Sequence, residues 1–281
     1  MEVAVFIAVL GAAACHAGWN AVIKGGGDPL MTTAIVTIAA GLVGLPLWPW
    51  AGLPSAAAWP WVIASIVVHL FYFASLIEAY RHGDLSQVYP VARGGAPLMT
   101  GIVSTFVVGE QLSALAWGGL LLLVAGVVLL SLRGGRGLST FNRRGIGYAL
   151  ATAVTICAYT IVDGIGARAS GNPASYTLAI FAGGSLAMAG YVIARRGVAG
   201  IAASGPQWRV GLFGGGLQVV SYGIAIWAMT VAPIAIVAAL RETSVLFATL
   251  IAVAILKEPL RASRVAAAVL IVIGLAAIRL Q

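Results

Sequence analysis

The sequence predicts an all-α membrane protein with ten transmembrane helices arranged as two inverted five-helix repeats. Three observations carry that expectation. The 281 residues are 61% hydrophobic and only 9% charged, against about 25% charged residues in a soluble domain. The apolar residues fall into ten runs of a length that crosses a bilayer. Polar residues also recur at matching positions in the two halves.

The runs are residues 3–23, 30–48, 59–80, 85–108, 112–131, 145–167, 174–194, 209–230, 232–256 and 262–279. The first opens MEVAVFIAVLGAAAC, with Glu2 and no Lys or Arg ahead of the apolar stretch, so it reads as a retained helix and not as a leader cleaved at Cys15. The runs are long and continuous, whereas a barrel strand alternates over about ten residues, so strands are excluded. The longest polar connection, LRGGRGLSTFNRRG at 132–145, holds four arginines and divides the chain nearly in half. The expected organisation is a first repeat at 1–132, a connecting loop at 133–144 and a second repeat at 145–281.

The halves match at an offset of 148 residues, which places Arg93 on Arg241, Glu110 on Glu258, Leu112 on Leu260 and Gly126 on Gly274. At an offset of 149, His69 falls on Gln218, Phe73 on Tyr222 and Ala79 on Ala228. An arginine and a glutamate held 17 residues apart in both halves point to duplication. Since each unit has five crossings, the second enters the membrane from the opposite side. Inverted repeats place a substrate site near mid-membrane in many secondary transporters.

The net charge of +8 comes from basic residues between spans and not along one helical face, which excludes a nucleic-acid partner. Twelve Lys and Arg residues flank odd-numbered loops and two flank the other side, which predicts cytoplasmic odd loops and extracytoplasmic termini. Cys15 and Cys157 lie inside spans, so neither a disulfide nor a metal site is expected. No cofactor is expected either.

The segments YPVARGGAPLMTGIVSTFVVGEQL, 89–112, and ALRETSVLFATLIAVAILKEPL, 239–260, resemble the signature helices of the EamA family in the drug/metabolite transporter superfamily. Trp19 near the end of the first helix, and Glu110 and Glu258 closing helices four and nine, fit the same resemblance. It implies a carrier fold whose members export amino acids and other small metabolites, exchange nucleotide sugars or triose phosphates, or export drugs. Two departures stand out: Pro97 is matched by Val245, and the charge count places the termini opposite to the family's usual cytoplasmic position.

Ionisable residues inside spans cost several kcal/mol when they face lipid, so they line cavities or pair with one another. Glu78, Arg93, Asp163, Arg241 and Glu242, with His16 and His69, form that set. Their formal sum of minus one permits two ion pairs and one excess carboxyl. Tyr89 and Arg93 lie among Pro90, Gly94, Gly95 and Pro97, which predicts a broken helix there. Arg93 is placed to clamp a carboxylate or phosphate, or to pair with a carboxylate such as Glu78. Arg241 and Glu242 are consecutive, about 100° apart on a helix, so they take different partners. A carboxyl such as Glu242 in a partly dry cavity is a candidate proton acceptor.

Polar-aromatic stripes complete the candidate pathway. His69 and Tyr72 lie on the third span, Gln218 and Tyr222 on the eighth, His16, Trp19 and Asn20 on the first, and Tyr159 with Asp163 on the sixth. Each set can line a pathway or serve only to join helices. Glu110 and Glu258 are placed as helix-end carboxylates.

The expected function is a secondary transporter in the bacterial cytoplasmic (inner) membrane that exports small metabolites, amino acids foremost, by alternating access. Alternatives are an exchanger of phosphorylated or phosphonate metabolites, a drug exporter, a scaffold or a membrane enzyme. The partners are a small-molecule substrate, the lipid bilayer and protons as a candidate coupling ion. A monomer suffices for one duplicated pathway. The sequence has no GxxxxGK[ST] nucleotide-binding motif.

Overall fold

A computed structural model describes residues 1–25, 28–82, 85–132, 143–202, 205, 207–254 and 262–280. The connecting loop at 133–142, together with Lys257, Glu258 and Arg261, lies outside the described residues. Every regular element among the described residues is helical. The first half contains α1 (Val3–Gly25), α2 (Pro29–Gly44), the short α3 (Trp48–Ala51), α4 (Trp59–His82), α5 (Leu85–Val103) and α6 (Ala114–Leu132). The second contains α7 (Arg143–Ser170), α8 (Pro173–Ala202), α9 (Gln207–Val231), α10 (Ile234–Arg241), α11 (Ser244–Ala254) and α12 (Ala262–Arg279). Among the described residues nine helical stretches are long and apolar enough to span a bilayer, and Ala114–Leu130 is a shorter apolar tenth.

Local sequence sets the helix starts. Asp28 caps α2 by accepting hydrogen bonds from Leu30 N and Met31 N, with Pro29 in the first turn. Asn172 Oδ1 does the same for Ala174 N and Ser175 N ahead of α8, again beside a proline. Gly109 ends the π turn that follows α5 at φ 79°, a left-handed conformation in which a Cβ would be strained.

The pattern of helix packing is symmetric under exchange of the halves. The fifth spans, α6 and α12, pack on each other, as do the second spans, α2 and α8. The third span of the first half, α4, packs on α7, the first of the second half, and α1 on α9 reproduces that pairing in reverse. The core lies along these seams, with Ile226, Met229, Ile234, Leu240 and Ile271 fully enclosed. Phe106, Leu186 and Phe213 remain exposed on the outer faces, where lipid and not water is their matched solvent.

Glycine sets how closely the seams approach. A Cβ on Gly274 would lie 2.6 Å from the Gly119 carbonyl oxygen, and one on Gly126 2.5 Å from Ile271 Cγ1. Gly211 and Gly215 on α9 have the same function against α2, where a Cβ would fall 2.3 Å from Ile35 Cγ2 and 2.6 Å from Ala40 N. Close backbone approach replaces the hydrophobic drive that lipid removes.

The structure corrects the expectation of a broken helix around Arg93. Helix α5 runs unbroken through Pro90, Gly94, Gly95 and Pro97. Its glycines are contact points: a Cβ on Gly94 would meet Val128 of α6 at 3.0 Å, and one on Gly95 would meet Ala153 of α7 at 3.4 Å. The break falls instead in the ninth span, between α10 and α11 at Glu242–Thr243. There the amides of Glu242, Thr243 and Val245 bond carbonyls three residues back, and the Thr243 hydroxyl caps Leu240 O at 2.7 Å. The turn therefore leaves these backbone groups satisfied at membrane depth, as it must.

Candidate functional site

The break between α10 and α11 presents Arg241 and Glu242 from the second half to Arg93 from the first. Arg93 Nε lies 3.1 Å from Glu242 Oε2, with side-chain exposures of 15% and 6%. Arg93 Nη2 also donates to Ser244 Oγ at 3.4 Å, the first residue of α11. Of the two readings of Arg93, the pair with a carboxylate is formed, with Glu242 in place of Glu78. Glu78 accepts from Arg81 Nη1 at 2.8 Å and lies 3.6 Å from His82 Nδ1, one helical turn away at the end of α4. A carboxylate that close to its own helix end takes the basic neighbours one turn on and never reaches the interior.

Arg241 has a different partner from its counterpart in the first half. Its guanidinium carbon lies 4.9 Å from the centre of the Tyr222 ring, a cation–π contact. Its Nε is buried and has no hydrogen-bond partner among the described residues. Arg93, Arg241, Glu242, Pro97, Thr100 and Tyr159 line one narrow cavity between the halves. That cavity carries two guanidinium groups and one carboxylate.

From the cavity lining, Tyr159 leads into an aromatic cluster. The His69 ring stacks on Tyr159 with centroids 4.3 Å apart, and Tyr72 meets Tyr159 edge-on at 5.8 Å. Tyr222 stands edge-on to His69 at 6.1 Å and to Tyr159 at 6.4 Å. Asp163 is fully buried on α7 and is not among the groups that line the cavity. Tyr176 donates to its Oδ1 at 3.1 Å, and Tyr222 donates to its Oδ2 in a short hydrogen bond.

On the first helix, His16 lies within electrostatic reach of Arg93 and Arg241, and its ring meets Trp19 edge-on at 4.9 Å. Asn20 is exposed and donates to His16 O at 2.7 Å within its own helix, outside the cluster. Gln218 is half-buried, and its Oε1 has no partner among the described residues. The Tyr89 side chain lies outside the described residues. The structure thus brings His16, His69, Tyr72, Arg93, Tyr159, Asp163, Tyr222, Arg241 and Glu242 into one region, and leaves Glu78 and Asn20 outside it.

Three contributors were not singled out by sequence. Ser244 closes the polar run that begins at Arg241, and Tyr176 stands between Ser175 and Thr177, so polar residues inside an apolar span were the available signal. The third contributor, Arg168, acts at the end of the molecule where α5, α7 and α9 finish. Its Nη2 bonds Glu110 Oε1 at 2.6 Å, while its Nε and Nη2 donate to Met229 O and Ala232 O. Glu110 Oε1 also accepts from Ile234 N at 2.9 Å, which caps α10. Glu110 is therefore a helix-end residue, as its position suggested, and it also latches the two halves. Among the described residues no cluster of three His, Cys, Asp or Glu side chains could hold a metal ion.

Two related halves of membrane-spanning helices around a charged, aromatic cavity define a membrane transporter. The chain belongs to the EamA-like transporter family, whose model matches it twice, over residues 3–132 and 143–280. Among solved structures, one crystal structure of a protein superposes with a TM-score of 0.76 at 21% identity, over 98% of this chain and 95% of that one. At that identity the likeness concerns the fold. No curated protein matches.

Proposed function

We propose that the chain is a secondary carrier that exports small zwitterionic or anionic metabolites, amino acids foremost, across the bacterial cytoplasmic membrane by alternating access. One observation carries this reading. Arg241 stands over the Tyr222 ring with its Nε unbonded among the described residues, in a cavity where Arg93 is already paired with Glu242. A guanidinium left with donors to satisfy, in a site of low dielectric, favours a carboxylate ligand with paired acceptor oxygens. An ammonium group could compete with Arg93 for Glu242, and the Tyr159 ring could pack the remaining apolar surface. With no nucleotide-binding motif in the sequence, the energy would come from a gradient or from exchange.

A second reading follows from the same pair of arginines. Two guanidinium groups lining one cavity also suit a phosphoryl or phosphonate group, and an exchanger of such compounds is the alternative. Proteoliposomes preloaded with unlabelled solute, offered radiolabelled amino acids, phosphorylated compounds or cationic drugs with and without a pH gradient, separate these cases. Counterflow of amino acids that is lost on Arg241→Ala supports the first reading. Flux confined to phosphorylated compounds or to drugs overturns it, as does a protein that moves none of the panel.

A further inference from the structure

Asp163 and Glu242 are both buried, but their charges are matched differently. Glu242 faces the Arg93 guanidinium at 3.1 Å. Asp163 has 0% exposure, and no arginine or lysine bonds it among the described residues. Its two oxygens accept from the hydroxyls of Tyr176 and Tyr222, and the Ser65 hydroxyl lies alongside. Hydroxyl dipoles stabilise a carboxylate less than a cation does, and a buried charge without a counter-ion is costly. Of the two acids, Asp163 is the one whose charge is free to change.

His69 supplies the accompanying base. Its Nδ1 lies 2.9 Å from the Ser65 carbonyl oxygen. A carbonyl only accepts, so Nδ1 carries the hydrogen, which leaves Nε2 as the ring position that can exchange a proton. The charged and titratable groups that the helices bring to this region are His16 from α1, His69 and Tyr72 from α4, Arg93 from α5, Tyr176 from α8, Tyr222 from α9 and Arg241 with Glu242 from the end of α10, with Tyr159 on α7 itself. Arg241 does not reach Asp163 directly. It rests on the face of the same tyrosine whose hydroxyl bonds the carboxylate.

We propose that Asp163, served by His69, is the proton-binding site that couples this carrier to a pH gradient, and that Tyr222 transmits its state to Arg241 in the solute cavity. The proposal rests on the carrier reading above. Ionised, Asp163 accepts both tyrosine hydroxyls and holds the Tyr222 ring beneath the guanidinium. One proton taken from water neutralises one carboxylate and turns one of its oxygens into a donor. The acid then offers fewer acceptor sites to Tyr176 and Tyr222, the Tyr222 ring is released, and Arg241 loses its platform. Release of the same proton on the other side of the membrane restores the bond.

Infrared difference spectra of the full chain in lipid bilayers, taken between acid and alkaline conditions, test the site without any solute. The expected result is a protonated-carboxyl stretch that is lost in Asp163→Asn, persists in Glu242→Gln and shifts in Tyr176→Phe, which removes one donor. A band that survives Asp163→Asn, one lost in Glu242→Gln, or no titrating carboxyl band at all overturns the proposal. In proteoliposomes supplied with a mixture of radiolabelled L-amino acids, wild-type accumulation should follow an imposed pH gradient and Asp163→Asn should lose that dependence. Retention of gradient-driven accumulation overturns the coupling role. A wild-type protein that shows the Asp163 band but no flux overturns the carrier reading and leaves the proton site standing.

Discussion

Arg93 on α5 and Glu242 at the break after α10 form an ion pair between the two halves, Nε to Oε2 at 3.1 Å, with both side chains largely withdrawn from solvent. Removal of one member strands the other charge in a dry interior. Arg93→Ala or Glu242→Ala should therefore each destabilise the protein by about 3–5 kcal/mol. Replacement of both by Met and Leu should return most of the thermal stability and none of the transport. Heating followed by size-exclusion chromatography reads the first effect, and counterflow the second. A double variant as unstable as the single ones would show that the pair is more than a matched couple.

The Arg168–Glu110 latch makes a prediction about conformation. Arg168→Ala removes a charge-assisted bond and two bonds to the Met229 and Ala232 carbonyls, worth about 1–3 kcal/mol for a bond of this kind. The end of the molecule where it lies should open more often. In a Cys15→Ala background, the buried Cys157 should react faster with a membrane-impermeant maleimide. An unchanged labelling rate would mean that the latch does not limit access.

The α6–α12 seam predicts a contrast between neighbouring glycines. Gly119→Ala and Gly274→Ala each place a Cβ within 2.7 Å of the opposing backbone carbonyl and should destabilise the protein by about 1–3 kcal/mol. Gly118→Ala meets nothing within 4 Å and should be neutral or slightly stabilising through helix propensity. Melting temperatures of the three variants in one detergent measure the contrast.

The Asp28–Arg196 pair joins the residue before α2, outside the spanning segments, to α8, with oxygen and nitrogen 2.5 Å apart. Partial desolvation opposes ionisation of Asp28, but the Arg196 guanidinium and the amides of Met31 and Leu30 outweigh it and hold the carboxyl below its usual range. A depressed carboxyl contributes stability at neutral pH and loses it as pH falls through the folded-state value. Both side chains are more than a third exposed, so screening limits the contribution of the pair to about 1 kcal/mol or less. Asp28→Asn, which keeps the cap, should cost that amount at neutral pH and nothing in acid. Thermal unfolding at the two pH values tests it.

Topology is open to a direct test. The excess of Lys and Arg beside odd-numbered loops predicts that a reporter inserted in the connection at 132–145 reports from the cytoplasm. An extracytoplasmic signal would reverse the orientation.

Much of the architecture was legible because lipid imposes a length and a composition on each crossing, and the spans at 3–23, 59–80 and 262–279 lie within two residues of α1, α4 and α12. The grouping of charged and aromatic residues was legible for a similar reason, since each would be costly against lipid. Partner choice was not. Gly94, Gly95 and Pro97 suggested a break, but glycine in a membrane helix serves close approach as readily as it serves flexibility. The real break occurs at Arg241, Glu242 and Thr243, where no proline or glycine stands. Its signal was four consecutive polar residues, Arg241 to Ser244, inside an apolar run, and each of them finds a partner. Glu78 was misplaced because position along a span does not show that a basic residue one turn on will bind it first.

Arg93 and Arg241 occupy matching positions in the two halves but differ in their surroundings, one on an unbroken helix against a carboxylate and the other at a helix end against an aromatic ring. A protein made of identical halves would present mirror-image barriers to passage in either direction. Here a solute approaching from either face meets unlike groups, so the half-saturating concentrations measured from the two sides should differ, while net flux at equal concentrations stays zero. That kinetic asymmetry would follow from how the duplicated arginines have diverged.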